Sequence, residues 1–200
     1  MSTEKTLALI SNLTTASIMA TILWLYVDAL LFRFEVKSFI KAAGFLLLTG
    51  GFASNFAESF LVVNQTFITW IIGLGFWMLF VGFILDTHSR LQLLTIFLIV
   101  AVLFLKNHLL LSVEVLLVTL AVLQLSYIYK HKDVIPLITA FFLVSLAEFL
   151  KYLNNFKGFE NMSLSASILY IFASVTLLYW LWSYLTIRFN LKHKSTNQPV

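Results

Sequence analysis

Long apolar runs alternate with short charged or polar turns along the whole chain. A helix crossing a bilayer needs about 20 mostly apolar residues. Seven runs meet or approach that length, at roughly 7–32, 39–61, 66–85, 90–106, 109–129, 134–153 and 165–187. The fourth is the shortest, and only Lys106-Asn107-His108 separates it from the fifth. A turn is expected there, because two basic residues and an amide at the centre of a bilayer would cost several kcal/mol. The first run is too long for the roughly 7–15-residue core of a secretion signal. It also carries Asp28 and Arg33 at its far end, so it reads as a retained span behind a mature amino terminus. The expected fold is an all-α integral membrane protein, a bundle of seven transmembrane helices over residues 1–189. A short basic tail, 190–200, is expected to be disordered or to rest on anionic lipid.

Composition fixes the solvent. Apolar residues make up 60% of the chain and charged ones 11%, against about 25% charged in an ordinary globular protein. That leaves too little polar surface for water, so the bilayer is the first expected partner and the cell membrane the expected location. The longest polar stretch, 154–163, is too short to fold alone. Without cysteine there are no disulfides, thiolate metal sites or cysteine nucleophiles. The net charge of +4 is scattered among separate turns and forms no stripe, so nucleic acid is not an expected partner.

The scattered charge does give an orientation. With the amino terminus outside, the cytoplasmic side holds Arg33, Lys37, Lys41, Arg90, Lys130, Lys132, Arg188, Lys192 and Lys194. The outside then holds only Lys5, Lys106, Lys151 and Lys157. The positive-inside rule therefore favours amino terminus out and carboxyl terminus in the cytoplasm. The Asn-x-Ser/Thr triplets at Asn12, Asn64 and Asn161 also fall on the outer side. Two of the inner turns look alike: Phe32-Arg33-Phe34-Glu35-Val36-Lys37 and Tyr127-Ile128-Tyr129-Lys130-His131-Lys132 each set aromatics two apart before a lysine and a new helix. A parallel internal repeat would produce this, as would the usual gathering of aromatics and lysines at an inner interface.

Ionisable groups inside a span cost at least about 2.5 kcal/mol each near the centre, so they mark a site or a structural pair. Asp28 lies about a turn from Arg33 and reads as structural. Asn55 and Glu58, three apart, share a helical face beyond Gly50-Gly51, a pair that suits tight helix packing or a broken helix. Glu148 has Lys151 one turn away to neutralise it, whereas Glu114 has only His108 and Ser112 near it in sequence. In a hairpin spanning 108–153, Glu114 and Glu148 stand sixteen and fifteen residues from the turn 130–133. That puts both about 22–24 Å above it. Two carboxylates meeting at one depth would share a proton and respond to pH or a cation.

Several chemistries are set aside. No HExxH, GxSxG, Walker or GxGxxG pattern occurs, so no cofactor is expected and an enzyme is the least favoured reading. His88, His131 and His193 fall on the inner side and His108 on the outer, so no histidine metal cluster is expected. An opsin-like photoreceptor would need a lysine in the last helix, and 164–187 has none. Tyr170, Tyr179, Trp180, Trp182 and Tyr184 in that helix read as an aromatic belt. The leading expectation is a small sensing or binding module for a cation, proton or small polar ligand. Its pocket would open outward and be lined by Asn55, Glu58, Glu114, Glu148 and Lys151. With no soluble domain, its signal would pass to a membrane or cytoplasmic partner. A small secondary transporter or channel subunit, a homo-oligomer because seven short helices enclose little, is the alternative. A structural or assembly subunit is a further one.

Overall fold

A computed structural model describes residues 3–58, 60–61, 64–87, 108–130, 132–156 and 162–196. The expected span over 90–106 lies outside the described residues. Six helices are in view: α1 (Thr3–Phe32), α2 (Val36–Ala57), α3 (Gln65–Thr87), α4 (His108–Tyr129), α5 (Ile135–Leu153) and α6 (Met162–Thr196). Each is long and apolar enough to cross a membrane. Their bounds follow the expected runs closely, except at the end of the chain. There α6 continues to Thr196, so much of the tail expected to be disordered prolongs the last helix.

Local chemistry sets several boundaries. α2 starts after Glu35, which is held extended (φ −128°, ψ 128°). Pro136 stands in the first turn of α5, where its missing N–H has no helical partner to lose. Between α4 and α5, Lys130 takes a left-handed conformation (φ 55°), a turn geometry that a side chain tolerates only at some cost. Gly50 and Gly51 do not break α2. A methyl on Gly51 would collide with Ile72, and one on Gly44 would meet the Gly75 carbonyl at 2.9 Å. Gly44 and Gly51 therefore serve close approach of α2 to α3, whereas Gly50 faces open space.

The helices form a ring in chain order. Each packs on its neighbours in sequence, and α6 closes against α1. Contacts fix the directions. Ser112 pairs with Ser145 and His108 with Glu148, so α4 and α5 are antiparallel, forming the hairpin expected for 108–153. Gly73 meets Glu114, and Asp86 accepts from Tyr129 through its carbonyl, so α3 and α4 run parallel. Thr15 bonds Ser174, and Tyr26 shares a cavity with Tyr184, so α1 and α6 are parallel too.

Polarity is turned inside out, as lipid demands. Trp24, Leu31, Phe32, Leu46, Phe172 and Val175 face outward. Ser11, Thr15, Ser112, Thr119, Ser145 and Ser174 are buried between helices. The middle of the ring is plugged by Met19, Phe45, Phe52, Phe76 and Phe141, all at 0–1% exposure. Phe76 and Phe141 meet edge to face across it, with centroids 6.3 Å apart.

Candidate functional site

At one end the ring opens into a vestibule of about 370 Å³, a volume within the range of small-molecule pockets. The start of α1 contributes Asn12 and the end of α2 contributes Asn55 and Glu58. Gln65 and Thr69 come from the start of α3, His108 from the start of α4, and Glu148 and Lys151 from the end of α5. Ile72 and Leu111 form part of the floor, each 4% exposed. The plug of aromatic rings lies below.

Glu148, only 2% exposed, anchors the wall. Lys151 donates to its Oε1 at 2.8 Å, and His108 Nδ1 stands 2.6 Å from its Oε2. The Tyr170 hydroxyl, reaching over from α6, also donates to Oε1. Since the carboxylate is an acceptor, His108 donates through Nδ1, and its Nε2 makes no hydrogen bond among the described residues. Lys151 is further fixed with its ammonium 4.5 Å from the centroid of the Tyr170 ring, a cation–π contact. Tyr170 in turn packs edge-on against Phe52 at 5.9 Å. Three helices thus hold one ion pair rigid.

The rest of the lining is less engaged. Glu58 accepts from the neutral Gln65 amide, and among the described residues no cation pairs with it. The amides of Asn12 and Asn55, half-buried in the wall, have no hydrogen-bond partner among the described residues.

Asn55, Glu58, Glu148 and Lys151, named from sequence, therefore come together in one cavity. Glu114 does not join them. The reciprocal Ser112–Ser145 hydrogen bonds, each hydroxyl donating 2.8 Å to the other residue's carbonyl, set the hairpin register. That register puts His108 level with Glu148 and leaves Glu114 six residues further along α4, about 9 Å deeper. Equal counts from the turn suggested one height, but α4 overhangs the start of α5, so the two carboxylates do not pair. Sequence reasoning also missed His108, Tyr170 and Asn12 as site residues. Tyr170 was assigned to the aromatic belt, although it lies eight residues into α6, about 12 Å from the helix start. That depth is the signal that separates it from an interfacial ring.

The opposite end is built differently. Asp86 at the end of α3 pairs with Lys41 and, at 3.0 Å, with Lys37. Arg33 pairs with Glu35 at 3.3 Å. Among the described residues no group of three His, Asp or Glu side chains stands ready to hold a metal ion. No family model, curated protein or solved structure matches the chain.

Proposed function

We propose that this protein is a seven-span binding module of the cell membrane whose outer vestibule takes a small polar solute carrying a positively charged group. The observation that carries the reading is the imbalance of charge in the vestibule. Lys151 is already matched by Glu148, while Glu58 has only an amide for company. The two unpartnered asparagine amides and His108 Nε2 add hydrogen-bonding capacity for the remainder of the solute. The plug beneath favours capture over an open pore.

Direction supports the seven-span reading. α1 starts at the vestibule end and α6 finishes at the other, which requires an odd number of crossings. α3 ends far from the vestibule and α4 begins beside it, which supports the same reading. The larger share of Lys and Arg lies at the end away from the vestibule, supporting the outward orientation of the site. A signal from the site would leave through the inner turns to a membrane or cytoplasmic partner.

One observation favours a second reading, a small transporter. α1–α3 and α4–α6 both start at the vestibule end and run in the same order, the arrangement of two parallel repeats about an axis along the membrane normal. A second cavity, about 410 Å³, lies at the inner end beside Lys37, Asp86 and Tyr129.

Thermal unfolding of the purified chain in liposomes, with methylammonium chloride against sodium chloride, tests the binding reading. Methylammonium is expected to raise the midpoint, since a solute binding only the folded state stabilises it by mass action. Glu58→Gln is expected to abolish the rise. No rise in the native chain, or an equal rise in Glu58→Gln, overturns the reading. Uptake of radiolabelled methylammonium into the same liposomes decides between module and transporter.

A further inference from the structure

Glu114 is 5% exposed in the seam between α3 and α4. The seam admits it because α3 presents a glycine: a methyl on Gly73 would stand 2.9 Å from Glu114 Oε2. Among the described residues nothing hydrogen-bonds or ion-pairs with this carboxyl group. One turn further along the same face of α3, the indole N–H of Trp77 is also buried without a partner. A carboxyl group and, one turn along α3, an indole N–H thus both lack a hydrogen-bond partner among the described residues.

The charged groups of the described residues on the packed elements are engaged elsewhere. α3 faces Glu114 with Gly73, which does not titrate. α5 meets α4 through Ser145, which is bonded to Ser112. His108, Glu148 and Lys151 bond one another about 9 Å nearer the mouth. An ionised carboxylate with no partner in an apolar interior is so costly that the group neutralises instead.

We propose that Glu114 is a proton-binding site, separate from the vestibule and one helical turn beneath its floor. The floor residues define the route. Leu111 precedes Glu114 by three residues on α4, and Ile72 precedes Gly73 on α3; both line the vestibule. When those two side chains part, hydronium in the vestibule gives up one proton: its O–H bond breaks, an O–H bond forms on one carboxylate oxygen and a water molecule is left behind, and the reverse transfer returns the proton by the same path. Because the vestibule and the seam share α3 and α4, loading of one changes the walls of the other. The protein is thereby responsive to proton as well as to solute.

Infrared spectroscopy of the full chain in phosphatidylcholine liposomes at neutral pH tests this without any solute. The carbonyl stretch of an un-ionised carboxylic acid, shifting in heavy water, is expected in the native chain and in Glu148→Gln, and absent from Glu114→Gln. Absence of the band from the native chain overturns the proposal and needs no variant to fold; it is also the result if a cation from 88–107 pairs with Glu114. Persistence of the band in Glu114→Gln overturns it equally. Leu111→Ala, which thins the floor, is expected to speed the deuterium shift several-fold, and an unchanged rate overturns the route. Failure of methylammonium binding leaves these readouts untouched, so the two proposals fail separately.

Discussion

Glu148 sits where three helices converge, so that a histidine, a lysine and a tyrosine each reach its carboxylate. Glu114, about 9 Å deeper by helical rise, sits in the seam of two helices where, among the described residues, a glycine stands against its carboxylate and no donor reaches it. Both are acidic, buried and on the same hairpin, yet one is held as a charge and the other as an empty-handed polar group. Burial therefore says little about a carboxylate's role in a membrane. The number of helices that converge on it decides which donors can arrive. Convergence at the mouth makes Glu148 a structural anchor for Lys151 and His108, leaving Glu58 to carry the vestibule's unmatched charge.

The same substitution at the two positions should separate them most sharply. Glu148→Leu removes one member of a buried pair and strands Lys151, Tyr170 and His108. It is expected to cost about 3–5 kcal/mol of stability, read as a large fall in the thermal midpoint in detergent or liposomes. A loss comparable to that of an ordinary surface change would break the comparison, because Glu148 would then not be the anchor.

Tyr170→Phe probes a single strand of the anchor. It removes the hydroxyl that donates to Oε1 while keeping the ring under Lys151 and against Phe52. The expected loss is about 1–2 kcal/mol, the range for a hydrogen bond to a charged group tempered by values found between membrane helices. Methylammonium stabilisation should persist in this variant, since Glu58 is untouched. Loss of that stabilisation would place the solute against Glu148 instead.

Glu114→Leu carries the smallest effect. Replacing an unsatisfied polar group by an apolar one of similar size is nearly neutral or stabilising, so the midpoint should stay level or rise. A fall as large as that of Glu148→Leu would mean that Glu114 is satisfied by a partner, and the two sites would no longer differ in kind.

Much of the architecture was legible in the chain. Runs of about 20 apolar residues are a direct consequence of bilayer thickness, and α1, α2, α3, α5 and α6 begin within a few residues of where those runs begin. The i,i+3 pairing of Glu148 with Lys151 was legible because it lies within one helix. Asn55 and Glu58, one turn apart near the end of α2, were legible as a polar face for the same reason. Tyr170 was not. Its contact with Glu148 depends on how far α6 slides along α5, a quantity that no spacing within α6 encodes. The supposed pairing of Glu114 with Glu148 failed on the same ground. Counting residues from a turn assumes that two helices leave it level, and here the Ser112–Ser145 bonds hold them out of step.

The sequence by itself determined that this is a helical chain with helices long and apolar enough to span a membrane, where the six described helices lie, and which polar groups would be too costly to face lipid. These follow from free energies of transfer that act residue by residue along the chain. The tertiary structure alone decided which of those groups meet. Ring closure brings α1 beside α6, parallel packing brings α3 beside α4, and the offset between α4 and α5 sorts one glutamate into the vestibule and the other beneath it. Those outcomes turn on shape between helices, on a glycine opposite a carboxylate or a pair of serines in register, and such matches exist only once the helices are packed.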